Sequence, residues 1–246
     1  MANSIGRAGD GAVAGVVLWT PPHPVLVGTA PPESVVPLAR ALHAHGAASF
    51  NAERATARAL AAAWQRHTGA APVTAMEQRL HRLDRLTPPE PAPAGSSRLA
   101  TVADRELLVE WLRAFGRATG QSTSTVEEHV EDRLGYGGLT VWEDGGTPVS
   151  LAGAVRSPGE TGGTGGTGGT GGTVRIGTVF TPEEHRGHGY AAAVTAEVSR
   201  AALAAGAAEV LLFTDLANPT SNGVYRRIGY RPVADWLLVT AEPAGS

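Results

Sequence analysis

The run Val179-Phe180-Thr181-Pro182-Glu183-Glu184-His185-Arg186-Gly187-His188-Gly189-Tyr190-Ala191 constrains this chain more than any other segment. It holds a strand end, a turn and a helix start within about a dozen residues. The alanine-rich stretch behind it, Gly189 to Ala205, predicts a long helix closed by Gly206 as a left-handed cap. The first N–H groups of such a helix have no partner inside it, and the aligned peptide dipoles put partial positive charge there. Glycines at 187 and 189 let an oxygen approach the backbone with no Cβ in the way, and Arg186 adds a charge-assisted contact. An anionic phosphate is the natural ligand, and a pyrophosphate fits the cradle.

Composition narrows the chemistry. The 246 residues are 42% hydrophobic and 17% charged, the balance of a soluble globular protein. There is no cysteine, which removes disulfides, thiolate metal sites and a cysteine-bound acyl intermediate. All 20 basic residues are arginine, so neither a Walker phosphate loop nor a Schiff-base lysine is available. A net charge of -3 gives no basic footprint, and nucleic acid is not an expected partner. No apolar run approaches the roughly 20 residues of a membrane helix, so no membrane partner is expected and a cytoplasmic location is the default. His43 with His45 and His185 with His188 come without a third ligand at recognisable spacing, and no metal is expected.

Residues 88–97, Pro-Pro-Glu-Pro-Ala-Pro-Ala-Gly-Ser-Ser, read as a semi-rigid linker between a unit at 1–87 and a second at 98–246. In the second unit, the pattern predicts a strand at Ser97 to Val102 and a helix from Val102 with Leu107, Leu108, Trp111, Leu112 and Phe115 on one face. A helix at Thr125 to Leu134 comes next, then a hairpin of Leu139 to Glu143 and Val149 to Arg156 across Asp144-Gly145-Gly146. Strands at Val174 to Phe180, Glu209 to Thr214 and Pro232 to Thr240 and a helix at Asn218 to Ile228 complete an α/β order of mixed strand direction. Thr-Gly-Gly, repeated from Thr161 to Gly172, is too poor in apolar groups to pack and reads as a mobile loop. The first unit shows the same rhythm more weakly: strands at Val13 to Trp19 and Val25 to Val27, helices at Ser34 to His45 and Ala52 to Thr68, and a strand near Arg79 to Leu83. Its Leu18-Trp19-Thr20-Pro21 parallels Val179-Phe180-Thr181-Pro182, a short sign of duplication.

Gly187-His188-Gly189-Tyr190-Ala191-Ala192 also matches the dinucleotide pattern G-x-G-x-x-A, and Asp215 follows the next strand where a ribose-binding acid would sit. Against that reading, Thr181 to Arg186 separate the strand from the first glycine, and too little chain follows Asp215 to complete a doubly wound sheet. Arg186-Gly187-His188-Gly189-Tyr190-Ala191 instead resembles the [Q/R]-x-x-G-x-[G/A] signature of the GNAT superfamily of N-acetyltransferases. Asn218-Pro219-Thr220-Ser221-Asn222-Gly223-Val224-Tyr225-Arg226-Arg227-Ile228-Gly229-Tyr230 is similar to that family's Asn-x-x-Ala-x-x-x-Tyr-x-x-x-Gly-Phe segment, with Ser for Ala and Tyr for Phe. The first unit resembles, more loosely, the degenerate N-terminal half of two-module actinobacterial-type members.

The resemblance implies a GNAT-like α/β (α+β) fold, with a mixed, mostly antiparallel sheet flanked by helices and a smaller degenerate module before it. It implies acetyl-CoA as cosubstrate, no metal, and a small-molecule or peptide amine as acceptor, attacked directly in a ternary complex. Main-chain groups of Val179, Phe180 and Thr181 would hold the pantetheine arm like an added strand. Arg186, Gly187, His188, Gly189, Tyr190 and Ala191 would hold the pyrophosphate, Asn218 would reach the cofactor arm, and Tyr225 would protonate the departing thiolate. The general base stays open: Glu183, Glu184 and His185 are candidates by proximity, and a water chain would serve as well. The first unit has no matching cradle after Thr20-Pro21 and is expected to bind no coenzyme A. A non-catalytic acyl-CoA sensor is the alternative from a different functional class.

Overall fold

Apolar residues at helical and two-residue spacings dictate most of the elements in the computed structural model, which describes residues 2–7, 13–19, 21, 23–121, 123–157 and 171–241. In chain order these are β1 (Ala2–Arg7), β2 (Val13–Trp19), β3 (Val25–Val27), α1 (Val35–Ala44), β4 (Ser49–Glu53), α2 (Arg54–Thr68) and β5 (Val73–Leu83). There follow β6 (Ser96–Leu99), α3 (Arg105–Thr119), α4 (Val126–Gly135), β7 (Leu139–Asp144), β8 (Thr147–Ser157) and β9 (Thr173–Phe180). Last come α5 (Tyr190–Ala204), β10 (Glu209–Asp215), α6 (Pro219–Arg227) and β11 (Tyr230–Thr240). The class is mixed α/β, with mostly antiparallel strands flanked by helices, as the sequence predicts. No helix among the described residues is long and apolar enough to cross a membrane.

By their contacts the residues form two units. One comprises Met1–Leu80, Thr214–Asn218 and Val233–Ser246, and the other His81–Phe213 and Pro219–Pro232. A single cut at 88–97 therefore does not describe the chain, because two later segments return to the first unit. In the first unit the strand order is β1-β2-β3-β4-β11-β5. The predicted helix start at Ala52 is corrected: residues 49–53 are β4, and the helix begins at Arg54. Pairing overrides the helical pattern here, because Phe50 and Ala52 face Val239 and Leu237 of β11 in antiparallel register. The same Phe50 and Ala52 are buried with Leu60, Ala63 and Trp64 of α2. Strand β1, which the sequence pattern does not reveal, pairs antiparallel with β2. Thr20 of the proposed duplicated tetrapeptide lies outside the described residues.

In the second unit the order is β10-β9-β8-β7-β6. One layer of core lies between the sheet and α5, built from Val174, Ile176, Val194, Val198, Val210 and Leu212 among others. The other lies under α3 and α4, built from Leu108, Trp111, Leu112, Val130, Leu139, Val141 and Leu151. Helix α3 is anchored at its start by a capping box in which Thr101 and Asp104 satisfy each other's backbone N–H groups. The bulk of the Thr-Gly-Gly repeat, residues 161–170, lies outside the described residues. Its last two glycines tie back to the end of α5, with the Gly171 N–H donating to Gly206 O at 3.0 Å and Gly172 O accepting from Ala208 N at 2.9 Å.

Candidate active site

Strand β9 pairs in parallel with β10 from Glu209↔Thr173 to Leu212↔Ile176, and there the register ends. Residues 177–180 of β9 continue beyond that point. A strand that leaves its neighbour turns a row of backbone N–H and C=O groups outward, and such groups seek a partner.

On its other side β9 carries a bulge. Gly153 of β8 opposes Gly177, whereas Leu151, two residues away, opposes Phe180, three residues away. The extra residue is accommodated by Thr178 at φ 55°, a left-handed conformation that a β-branched residue adopts only under constraint. Its effect is to reverse the alternation. Val179 packs with Ile176 toward the α5 layer, and Phe180 turns to the α3 layer, where its ring lies 6.0 Å from that of Trp111. Val179 and Phe180 therefore spend their side chains on the core and have only main chain to offer a ligand. Buried Ser150 of β8 holds the strand end: its hydroxyl donates to Phe180 O at 3.1 Å and lies 2.8 Å from the Thr181 hydroxyl.

After Thr181 a 3-10 turn at Glu183–His185 leads to the two glycines, at φ 83° for Gly187 and 84° for Gly189. Gly189 is the N-cap of α5. Among the described residues nothing lies within 4 Å of where a Cβ at Gly187 would stand, and only Pro93 Cβ, at 4.0 Å, near that at Gly189. Arg186 is exposed and bent back, its Nε donating to Thr181 O at 3.2 Å, which leaves its terminal nitrogens directed elsewhere. His188 is exposed, its Nδ1 lies 3.3 Å from His185 O, and its ring stacks on that of Tyr190 at 5.5 Å. Tyr190 is buried, and its hydroxyl donates to Asp144 Oδ2 in the β7–β8 turn at 2.5 Å. That carboxylate raises the Tyr190 pKa above its ordinary value. Tyr190 thus fastens the first turn of α5 to the hairpin, a job the sequence does not reveal, and Ala191 follows it inside the helix. The cradle has the open main chain and the left-handed glycines that a diphosphate needs.

Tyr225 lies in α6, buried in the same cluster as Ile176, Val194 and Leu212. Its ring meets that of Tyr230 edge-on at 6.2 Å. Its hydroxyl makes no hydrogen bond with the described residues, while the Tyr230 hydroxyl lies 2.8 Å from that of Ser199. Burial, and then the proximity of Tyr230, push the Tyr225 pKa well above that of a free phenol, so the group stays protonated at any working pH. Asn218 is exposed at the turn before α6, its N–H donating to Asp215 O at 3.1 Å, and it belongs to the first unit. Glu183 and Glu184 are exposed, and His185 is half-buried. Among the described residues no group of three or more His, Cys, Asp or Glu is placed to hold a metal.

Sequence reasoning missed Ser150, Asp144 and the bulge at Thr178. Ser150 reads only as a small residue in an apolar strand, Asp144 only as a turn residue, and a left-handed threonine leaves no sequence signal.

A sheet whose parallel pair ends beside a bulge, followed by left-handed glycines at a helix start, makes this an α/β protein with open main chain at one helix N-terminus. The acetyltransferase (GNAT) family model matches residues 105–230, and the chain belongs to that family: it is an acetyltransferase. No curated protein matches the chain significantly. Among solved structures it is similar to a GCN5-related N-acetyltransferase from Kribbella flavida, at 19% identity and TM-score 0.61 over 95% of this chain and 89% of that one. It is also similar to a GCN5-related N-acetyltransferase from Sphaerobacter thermophilus, at 20% identity and TM-score 0.60, over 96% of this chain and 79% of that one. An acetyltransferase from the GNAT family of Colwellia psychrerythraea follows, at 10% identity and TM-score 0.58, over 96% and 84%. These likenesses concern the fold.

Proposed function

We propose that the chain moves an acetyl group from acetyl-CoA to a primary amine on a small molecule or peptide, by direct attack in a ternary complex. The observation that carries this reading is the end of the β9–β10 register at Leu212↔Ile176, directly upstream of the cradle at Arg186 to Ala191. Acetyl-CoA supplies the activated acyl group. The N–H groups of Gly187 to Ala191, with Arg186, hold its diphosphate. The main chain of Val179, Phe180 and Thr181 pairs with its amide-bearing arm as a strand would.

In the transfer, the amine nitrogen bonds the thioester carbonyl carbon and gives up one proton to a base, either water or one of Glu183, Glu184 and His185. The C–S bond breaks with its electron pair on sulfur. Tyr225 stands near that sulfur, its phenol held in the protonated form by burial, so it donates a hydrogen bond to the departing thiolate and passes it a proton as the C–S bond breaks, which solvent restores. The absence of cysteine agrees with a route that needs no acyl-enzyme.

The first unit we read as a degenerate relative of the second that binds no coenzyme A. In support, the left-handed glycines among its described residues, Gly46 and Gly69, both stand at helix ends and none at a helix start. A cytoplasmic setting suits a coenzyme A-dependent reaction.

The test is coenzyme A release with a panel of amines, comparing the parent with Tyr225→Phe. Turnover should fall about 100-fold, the usual scale for losing a general acid, while coenzyme A affinity stays within twofold. Unchanged turnover in Tyr225→Phe would remove the tyrosine from the mechanism, and coenzyme A binding with no turnover on any amine would replace transfer by sensing.

A further inference from the structure

Val174 and Ile176 of β9 point into the α5 layer, so Arg175 and Gly177 between and beyond them lie on the opposite face of the sheet, the face that α3 and α4 cover. Gly177 pairs with Gly153 of β8, and the two glycines leave a bare patch of backbone at the point where β9 leaves β10. Arg133 of α4 reaches onto that patch: a Cβ at Gly153 would fall 2.4 Å from Arg133 Nη1. This nitrogen is buried and has no hydrogen-bond partner among the described residues.

A buried guanidinium N–H without an acceptor is rare and unfavourable, because guanidinium is a donor five times over and its desolvation is normally offset by a carboxylate or carbonyl. Acids on its own helix do not offset it: Glu127 and Glu131 pair with Arg113 and Arg105 of α3. Arg133 makes no side-chain hydrogen bond or ion pair with any described residue, and neither does Arg175. Arg175 keeps much surface open to solvent, yet the groups packed around it, and then the Arg133 charge, lower its pKa from the ordinary guanidinium value. Two neighbouring cations with no counter-charge among the described residues repel each other, and an arriving anion relieves both the repulsion and the missing hydrogen bonds.

Their position says what the anion belongs to. On the reading above, the diphosphate sits at Gly187 to Ala191 and the arm runs back along β9 from Thr181, so the acyl end arrives at Gly177. Arg133 and Arg175 therefore flank the reacting carbon and stand too far along β9 to serve the diphosphate.

We propose that the acceptor is an amine that also carries an oxyanion, a carboxylate or a phosphate ester, and that Arg133 and Arg175 clamp this oxyanion at the end of the acyl channel. A guanidinium fork matches either group bidentately, and the fixed anion would aim the amine at the thioester. The inference rests on the proposed acyl transfer for its geometry, but its test does not need coenzyme A.

The full chain is titrated calorimetrically with amino acids against their primary amides, and with phosphoethanolamine against ethanolamine. The expected result is at least tenfold tighter binding of the anionic member in one of the two pairs, and that pair names the source of the oxyanion. Arg133→Gln and Arg175→Gln should each bring the ratio near unity by weakening only the anionic member, and Arg133→Lys, which keeps the charge and loses the fork, should fall between. Coenzyme A affinity, measured separately, reports whether each variant is folded. Equal binding within both pairs in the parent, or a preference that survives both glutamine variants, overturns the proposal. A chain that shows the preference but has no affinity for coenzyme A would sink the transferase reading alone.

Discussion

The two units of the molecule are built alike and differ at the starts of their helices. Each packs helices on a sheet with antiparallel pairs, and each contains a parallel pair, β3 with β4 in the first and β9 with β10 in the second. In the first unit α1 opens behind Ser34 and α2 behind Glu53, both in ordinary backbone conformations, and the left-handed glycines close the helices. In the second, α5 opens behind Gly189 in the left-handed region. A left-handed residue at a helix end satisfies carbonyls, whereas at a helix start it bends the incoming chain away and leaves the first N–H groups facing open space. The same residue type thus closes helices in both units and also opens α5 in the second.

The comparison can be broken by substitutions of graded effect. The largest is expected at Gly229, which stands at φ 104° with a Cβ position 1.8 Å from Arg85 O. Gly229→Ala sets side chain against backbone, and a loss of about 4 kcal/mol, read by urea denaturation, is the scale for such a clash. A loss below about 1 kcal/mol would mean that the loop before β6 yields freely.

A smaller effect separates the ion pairs of the two units. In the second, Asp104 is 8% exposed and accepts from Arg98 at 2.7 and 2.8 Å, with Glu143 on the same guanidinium. The hydrogen bond from Arg98, before all else, lowers the Asp104 pKa to about 2. An unfolded aspartate titrates near 3.9, so the folded carboxylate contributes about 2 kcal/mol above pH 4, lost as pH falls through about 2. Thermal melts from pH 6 to pH 2 should show that loss, and Asp104→Asn should flatten it. In the first unit Arg79 and Asp235 pair at 2.7 Å with their side chains 37% and 25% exposed. Asp235→Asn there should cost about 1 kcal/mol at most, because solvent screens the pair. Equal losses at the two sites would erase the distinction between the units.

Elements whose signals are local were legible in the sequence. The hairpin around Gly145-Gly146, helix α5 and the cradle follow from turn residues and helical periodicity close together in the chain. Strand β4 was not legible, because Ser49 to Glu53 becomes a strand through pairing with β3 and with β11, the latter nearly two hundred residues later, while Ala52 suits the helix that follows. The division at the Pro-rich stretch missed the return of later segments for the same reason. At the site, the cradle residues were evident from type and spacing. What holds them was not: the Ser150 contacts, the Tyr190 tie to Asp144 and the bulge at Thr178 arise from register and packing. Phe180 shows the limit most clearly, since its side chain goes to the α3 layer and leaves only its backbone for a ligand.

The most direct measurement is the affinity of the intact chain for coenzyme A, by calorimetry, with Gly187 and Gly189 both changed to valine and, separately, Gly46 and Gly69 both changed to valine. The account predicts at least a hundredfold weaker binding for the first pair, and for the second a less stable protein whose binding is unchanged. Undiminished affinity in the Gly187/Gly189 variant would contradict it.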